Sequence, residues 1–209
     1  MLRQIDHIVI ISQDLDSAIA KAQRAGFTVV RGGVHADGLT HNALIAFADG
    51  SYIELISPTR PDIEGEHRWF DRLRHGGGLV DFCLLGDSLT EDIDAIRQRG
   101  VAYPAPQPLG RTRPDGERID WLLSVPPGKV GATGWPFLIE DITPRAKRVP
   151  HAAHEISHAN GVLGTAGVTV LVHNLETARQ DYEAILGTQG QDVPWALPGT
   201  GRAVQLAVG

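Results

Sequence analysis

The 209-residue chain contains one cysteine, Cys83, so neither an intrachain disulfide nor a cysteine-rich zinc cluster can form. Cys83 sits inside Asp81-Phe82-Cys83-Leu84-Leu85, which reads as a buried strand, so a small core side chain is expected there rather than a nucleophile. No apolar run approaches the roughly 20 residues of a helical membrane span, and no membrane partner is expected. Met1-Leu2-Arg3-Gln4 leads straight into a strand without room for a signal peptide, which gives a cytoplasmic protein as the expectation. An excess of basic residues is also missing. The net charge of -6 argues against nucleic acid as a partner, because phosphate binding needs a concentrated basic surface.

What remains is ordinary globular composition, 42% hydrophobic and 21% charged, with enough apolar content for one large domain or two small ones. Ile5-Asp6-His7-Ile8-Val9-Ile10-Ile11 reads as a first strand. Asp14 is placed to cap a helix lined by Leu15, Ala18, Ile19, Ala22 and Ala25 and ended by Gly26. Phe27 to Val30 reads as a short strand, and Gly32-Gly33-Val34-His35-Ala36-Asp37-Gly38 as a Gly-rich loop. His41 to Phe47 and Tyr52 to Ile56 form strands joined by a hairpin at Asp49-Gly50.

After a polar connection from Pro58 to Gly78 with a short helix near Trp69-Phe70, the pattern starts again. Leu79 to Leu85 is a strand, Ser88-Leu89-Thr90-Glu91 a capping box, and Leu89, Ile93 and Ile96 line a helix stopped by Gly100. Val101 to Tyr103, Ile119 to Val125 and Phe137 to Ile142 supply three further strands, with a turn at Asp115-Gly116. The chain therefore carries two β-α-β-β-β modules, residues 4–57 and 79–143, within an α+β domain spanning 1–145. Residues 146–164 read as a polar linker in which His151, His154 and His158 are solvated. Residues 165–209 form an incomplete third β-α-β module, with Gly167 in the place of His7. Either the chain is cut short before its missing strand or that strand comes from elsewhere, as from a second subunit in a homodimer.

Strand side chains alternate faces, so His7 shares a face with Val9 and Ile11, and Glu54 with Tyr52 and Ile56. Aligning the two helix starts brings His7 onto Asp81 and Glu54 onto Glu140. Polar groups recurring on one face of apolar strands are expensive to bury unpaired, which points to an internal polar cavity. Crowded carboxylates would repel without a cation, so one of them is expected to hold a proton at raised pKa.

Paired β-α-β-β-β units with such residues on first and fourth strands resemble the vicinal oxygen chelate superfamily, and within it the glyoxalase-like domain proteins. The phrases carrying the likeness are Ile5-Asp6-His7, Gly33-Val34-His35, Thr40-His41-Asn42-Ala43-Leu44, Asp49-Gly50-Ser51-Tyr52-Ile53-Glu54-Leu55, Arg111-Thr112-Arg113-Pro114-Asp115-Gly116, Pro136-Phe137-Leu138-Ile139-Glu140 and Thr143-Pro144-Arg145. The resemblance implies a concave mixed sheet with helices outside. It implies a divalent metal, one of Mn, Mg, Fe, Ni or Zn, held by His7, Glu54, Asp81 and Glu140. Three carboxylates and one imidazole form a hard, oxygen-rich set, suiting Mn, Mg or Fe better than Zn. Asp81 departs from the family pattern, where His or another good ligand is usual. Glu54 or Glu140 would be the catalytic proton shuttle, and His35, His41, Asn42, Arg113 and Trp121 the substrate-binding layer. Arg111 reads as a surface ion-pair residue.

Two function classes follow. The first is a small-molecule enzyme, a metal-dependent lyase or isomerase acting on an oxygenated substrate. Dioxygenase chemistry ranks below it, because the four positions lack two histidines. The second is a non-catalytic module that sequesters a small ligand in the same concave sheet.

Overall fold

In the computed structural model, residues 2, 4–62, 67–113, 115–128, 133–188, 195–197 and 203–208 are described. Pro114 of the expected turn lies outside them. The first module comprises β1 (Gln4–Ile11), α1 (Leu15–Arg24), β2 (Val30–His35), β3 (Thr40–Ala46) and β4 (Tyr52–Pro58). A short helix, α2 (Phe70–Arg74), leads to the second, made of β5 (Gly78–Leu85), α3 (Leu89–Gln98), β6 (Gln107–Thr112), β7 (Arg118–Ser124) and β8 (Phe137–Asp141). The concave sheet expected from sequence closes completely, in the order β1-β4-β3-β2-β6-β7-β8-β5. Each module pairs its first strand with its last in parallel, and the modules join through β1 antiparallel to β5 and β2 antiparallel to β6.

Period-two alternation sorts the side chains. Val9, Ile11, Ile56, Cys83, Leu85, Phe137 and Ile139 pack inside the barrel with Trp69, Phe70 and Leu73 of the α2 segment. The opposite faces bury Leu15 and Ile19 of α1 against Ala43, Ile45 and Leu55, and Leu89, Ile93 and Ile96 of α3 against Ile5, Phe82, Leu84 and Leu138. Cys83 is fully buried, and burial pushes its thiol pKa well up, as suits a core residue. Asp14 caps α1 as expected, its carboxylate accepting from Ser17 N–H at 2.6 Å.

Several sequence expectations need correcting. Gly32 to His35 is not a loop but the body of β2, the pattern being obscured because two consecutive glycines carry no side chain to alternate. Val101 to Tyr103 is not a strand; the sixth strand is β6, whose Pro108 interrupts the usual pattern. Proline is tolerated there because β2 pairs β6 only at Arg111 and Thr112, leaving Pro108 bonded to β7 alone. The stretch after Asp141 is also more than a solvated linker. It begins with a turn of helix, α4 (Arg145–Arg148), which buries Arg148. His151 and His154 are exposed, but His158 is buried between Phe27 and Phe47, accepting from Thr28 N–H and donating to the Ala46 carbonyl.

Beyond it, β9 (Gly167–Val172), α5 (Leu175–Leu186), β10 (Trp195–Ala196) and β11 (Ala203–Val208) form a separate three-stranded sheet in which β9 and β11 run parallel. A Cβ at Gly167 would lie 2.5 Å from the Ala203 carbonyl, so this glycine permits the close strand pairing. The unit docks on the outer face of the second module. Tyr182 and Trp195 stack in its core, and Trp135 donates to Asp181 at 2.9 Å.

The N-terminus of α3 departs from the capping-box reading. The Ser88 side chain makes no cap, and Leu89 N–H donates instead to the Glu140 carboxylate at 2.7 Å. A negative charge there satisfies an orphan donor and complements the helix dipole. Glu140→Ala is expected to lower the unfolding free energy by about 1 kcal/mol in chemical denaturation. Unchanged stability would contradict the capping role.

Candidate functional site

The barrel encloses a cavity of about 330 Å³. It is walled by His7 of β1, Asn42 and Leu44 of β3, Tyr52, Glu54 and Ile56 of β4, Arg111 of β6, Trp121 and Leu123 of β7, and Phe137 and Ile139 of β8. His35, Asp37, His67, Arg68, Trp69 and Arg148 are among the other lining residues. Most of the wall is apolar, and the polar groups concentrate around Glu54.

His7 is 3% exposed. Its ring stacks on Tyr52 at 4.6 Å between centroids and meets Phe137 edge-on at 5.1 Å. Nδ1 faces Asp6 Oδ1 at 2.6 Å, which makes Nδ1–H the donor, and Nε2 faces Glu54 Oε2 at 3.6 Å. Asp6 precedes His7 on the strand and would normally point to the other face. A register irregularity between Ile5 and His7 in the pairing with β5 lets its carboxylate reach the neighbouring ring.

Asp6 is held in turn. Its Oδ1 accepts from Arg148 at 3.0 Å, and its Oδ2 accepts from Arg148 at 2.8 Å and from Arg145 at 2.5 Å. Burial alone would raise the Asp6 pKa, but the Arg148 and Arg145 charges hold it well below the ordinary value. Arg148 Nη1 also donates to the Tyr52 hydroxyl at 2.8 Å, and its Nε and Nη2 donate to Asp141. All five of its N–H donors therefore have acceptors, as a buried guanidinium requires.

Glu54 is buried, 6% exposed, and its two oxygens are differently engaged. Oε1 accepts from the Asn42 amide at 2.6 Å and lies 3.5 Å from His35 Nε2, while Oε2 faces His7. Desolvation would raise this carboxyl, yet the hydrogen bond from His35, the His7 and His35 charges and the Asn42 amide together lower it from 4.5 to about 2. Asn42 is oriented by its other end, where Oδ1 accepts from Gly33 N–H at 3.1 Å and lies 3.4 Å from Arg111 Nη1. A Cβ at Gly32 would fall 2.0 Å from that Oδ1 and 2.4 Å from Arg111 Nη1. Glycine at 32 is thus what makes room for the Asn42–Arg111 contact.

The sequence-predicted residues divide accordingly. His7, Glu54, His35, Asn42 and Trp121 line the cavity. His41 alternates to the other side of β3, where burial, then the Arg31 charge, lowers its pKa. Arg113 lies outside, pairing with Asp115 at 3.3 Å and donating to the Lys147 carbonyl. Asp81 shares the inner face of β5, but its carboxylate accepts from Trp69 Nε1 at 3.0 Å, Arg68 Nη2 at 2.7 Å and Phe82 N–H at 3.0 Å. Burial still raises its pKa, so the raised carboxyl expected of a crowded set exists, with desolvation rather than repulsion as its cause.

Glu140 is one residue out of step. Tyr52 pairs with His7 and Phe137 with Cys83, so the inward partner of Glu54 two residues on is Ile139, and Glu140 turns outward to cap α3. A one-residue slip exchanges the faces of a strand. Arg111, read from sequence as a surface residue, is buried in the wall and donates to the Arg148 carbonyl at 2.9 Å.

Asp6, Tyr52, Arg148 and Arg68 were not predicted as site residues. The spacing of Arg145 and Arg148, three apart after a proline, is a usable signal for two cations on one helical face. The bulge that recruits Asp6 leaves no comparable trace.

The resemblance implies a divalent metal, which His7, Glu54, Asp81 and Glu140 would have to hold together. His7 Nε2 and Glu54 Oε2 converge, but Asp81 is committed to three donors and the fourth position is Ile139. Among the described residues, the one cluster with ligand-like spacing is Asp6, His7 and Cys83. There Asp6 already accepts from two arginines, and the buried thiol resists ionisation. The four-ligand set therefore does not fit.

A closed eight-stranded barrel of two β-α-β-β-β modules around a polar cavity defines a protein of the vicinal oxygen chelate fold. The glyoxalase-like domain model matches residues 5–186, and the chain belongs to that family. No curated protein matches the sequence. Among solved structures, a hypothetical protein from Staphylococcus aureus is similar over 98% of this chain and 86% of its own, with TM-score 0.75 and 14% identity. Methylmalonyl-CoA epimerase from Mycobacterium tuberculosis matches 70% of this chain and 93% of its own, with TM-score 0.49 and 21% identity. A Streptomyces coelicolor methylmalonyl-CoA epimerase variant in complex with 2-nitronate-propionyl-CoA matches 68% and 100%, with TM-score 0.48 and 26% identity.

A carboxyl whose pKa is depressed by folding stabilises the folded state above its unfolded pKa, and that stability is lost as pH falls through the folded value. For Glu54 the window lies between 4.5 and about 2, and the effect is on the order of 3 kcal/mol. Urea denaturation across this range should show a steeper loss in the native protein than in Glu54→Gln. Equal slopes would show that Glu54 is not held ionised.

Proposed function

We propose that the chain is an enzyme that moves a proton on a small oxygenated molecule enclosed in the barrel, an isomerase or lyase without an obligatory metal. The observation that carries this reading is the Asp6–His7–Glu54 line. Asp6 accepts from Nδ1 and fixes the ring, so that Nε2 is presented to the cavity beside an ionised carboxylate. A ring held in one tautomer by a buried acid is suited to take or give a proton at its other nitrogen. In this scheme His7 exchanges the proton with the substrate. Glu54, fixed by Asn42 and His35, offsets the positive charge that develops on His7. Arg111 and Trp121 bound the substrate, and the apolar wall excludes water from the exchanging atom.

The alternative is a non-catalytic module that sequesters the same class of molecule. Glu54 favours it, since a carboxyl at about 2 is a weak base. The readings separate by following carbon-bound hydrogen exchange in heavy water by NMR over a panel of small carbonyl compounds. An enzyme should exchange at least one of them, with the rate falling about hundredfold in His7→Asn. Exchange unaffected by His7→Asn, or tight binding without exchange across the panel, contradicts it. Elemental analysis of protein purified without chelator, alongside His7→Ala and Glu54→Gln, addresses the metal. Stoichiometric Mn, Mg, Fe, Ni or Zn lost in both variants would replace the metal-free scheme.

A further inference from the structure

The wall opposite the polar line contains an arginine that the scheme above does not use. Arg68 Nη2 is paired with Asp81 at 2.7 Å, yet among the described residues its buried Nε and Nη1 have no hydrogen-bond partner. The guanidinium carbon stands 5.8 Å from the Trp69 ring centroid and 5.7 Å from that of Phe137. Buried guanidinium N–H groups without acceptors are costly, and the contrast with Arg148, whose donors are all satisfied, is internal to this chain. Arg68 also lines the cavity.

We infer that Arg68 is the recognition point for a carboxylate on the substrate, so that the molecule bound in the barrel is a small organic acid with an apolar body. The inference rests on the reading of the cavity as a small-molecule site and names the class of molecule it takes. A carboxylate supplies the acceptors that Nε and Nη1 lack, in charge-assisted hydrogen bonds. The remaining body lies along Phe137, Trp121, Leu123 and Ile139, which are apolar. Phe137 sets the reach. Arg68 and His7 approach the same ring, at 5.7 Å and 5.1 Å from its centroid, so an acid docked on Arg68 and lying against Phe137 extends toward His7 Nε2. Asp81 moderates the site, since it holds Nη2 and reduces the charge offered to an incoming anion.

The test is equilibrium binding by calorimetry and by the fluorescence of Trp69 and Trp121. The probes are cyclohexanecarboxylate, its uncharged amide cyclohexanecarboxamide, propionate and inorganic phosphate. Cyclohexanecarboxylate should bind about tenfold or more tightly than the amide, and more tightly than phosphate. Arg68→Gln should erase the difference between acid and amide, Arg68→Lys should restore part of it, and Asp81→Asn should strengthen carboxylate binding severalfold. Equal binding of acid and amide to the native protein, or acid binding that survives Arg68→Gln, overturns the carboxylate assignment and leaves the cavity reading standing. Phosphate binding as tightly as the acid overturns it in favour of a tetrahedral anion. If no probe binds at all, both readings fall.

Discussion

The contact on which the site depends is the buried pair between Asp6 and Arg148. A carboxylate with no solvent exposure is sustainable only if its charge is met, and here two arginines and an imidazole meet it. Arg148 comes from outside the paired modules, on the short helical turn after β8, yet its guanidinium reaches the barrel interior and touches Asp6, Tyr52 and Asp141. Removing one partner of such a pair leaves an uncompensated charge, a change worth about 3–5 kcal/mol in comparable cases. The same atoms thus hold the segment after β8 to the barrel, orient His7 and place Tyr52 beneath its ring. Fold and site geometry share one constraint.

The modules are alike in backbone and unlike in chemistry. In the first, inward positions of β1 and β4 carry His7 and Glu54, and a glycine strand opposite makes space for Asn42 and Arg111. In the second, the corresponding inward positions of β5 and β8 carry Cys83 and Ile139, with Asp81 turned toward Arg68 and Trp69. Polar groups thereby gather around β1, β3, β4 and Arg111 of β6, while β7 and β8 line the cavity with apolar side chains near Arg68. Glu54 and Asp81 illustrate the consequence for two buried carboxyls. One is lowered to about 2 because neighbouring donors outweigh burial, and the other is raised because burial outweighs Arg68 and the Trp69 and Phe82 donors. Environments that push two acids apart in this way are how one cavity assigns them different roles.

Much of this was legible in the sequence, for identifiable reasons. The strong period-two runs around His7, Glu54 and Asp81 and the helix cap at Asp14 located the modules, because those signals are local. The inward face of β1, β4 and β5 followed from alternation alone. Alternation in β8 was also read correctly, but which face turned inward was not, since Phe137, Ile139 and Leu138 are all apolar and either set could fill a core. Glu140 therefore appeared beside Glu54 when it caps α3. β2 and β6 were obscured by Gly32-Gly33 and Pro108, residues whose strand role depends on neighbours far away in sequence. Asp6 was missed because a bulge creates its role and leaves no spacing to read, and Arg148 because its i, i+3 spacing with Arg145 marks a shared helical face but not the tertiary contact that face makes.

The central claim is that Asp6, braced by Arg148, fixes the His7 ring with Nδ1 protonated and Nε2 turned to the cavity. Long-range proton–nitrogen NMR correlations of the His7 ring test it most directly. The account predicts a protonated, hydrogen-bonded Nδ1 in the native protein, and loss of that proton signal in folded Arg148→Lys as Asp6 is released. A ring protonated at Nε2 alone, or a signal unchanged by Arg148→Lys, would contradict it.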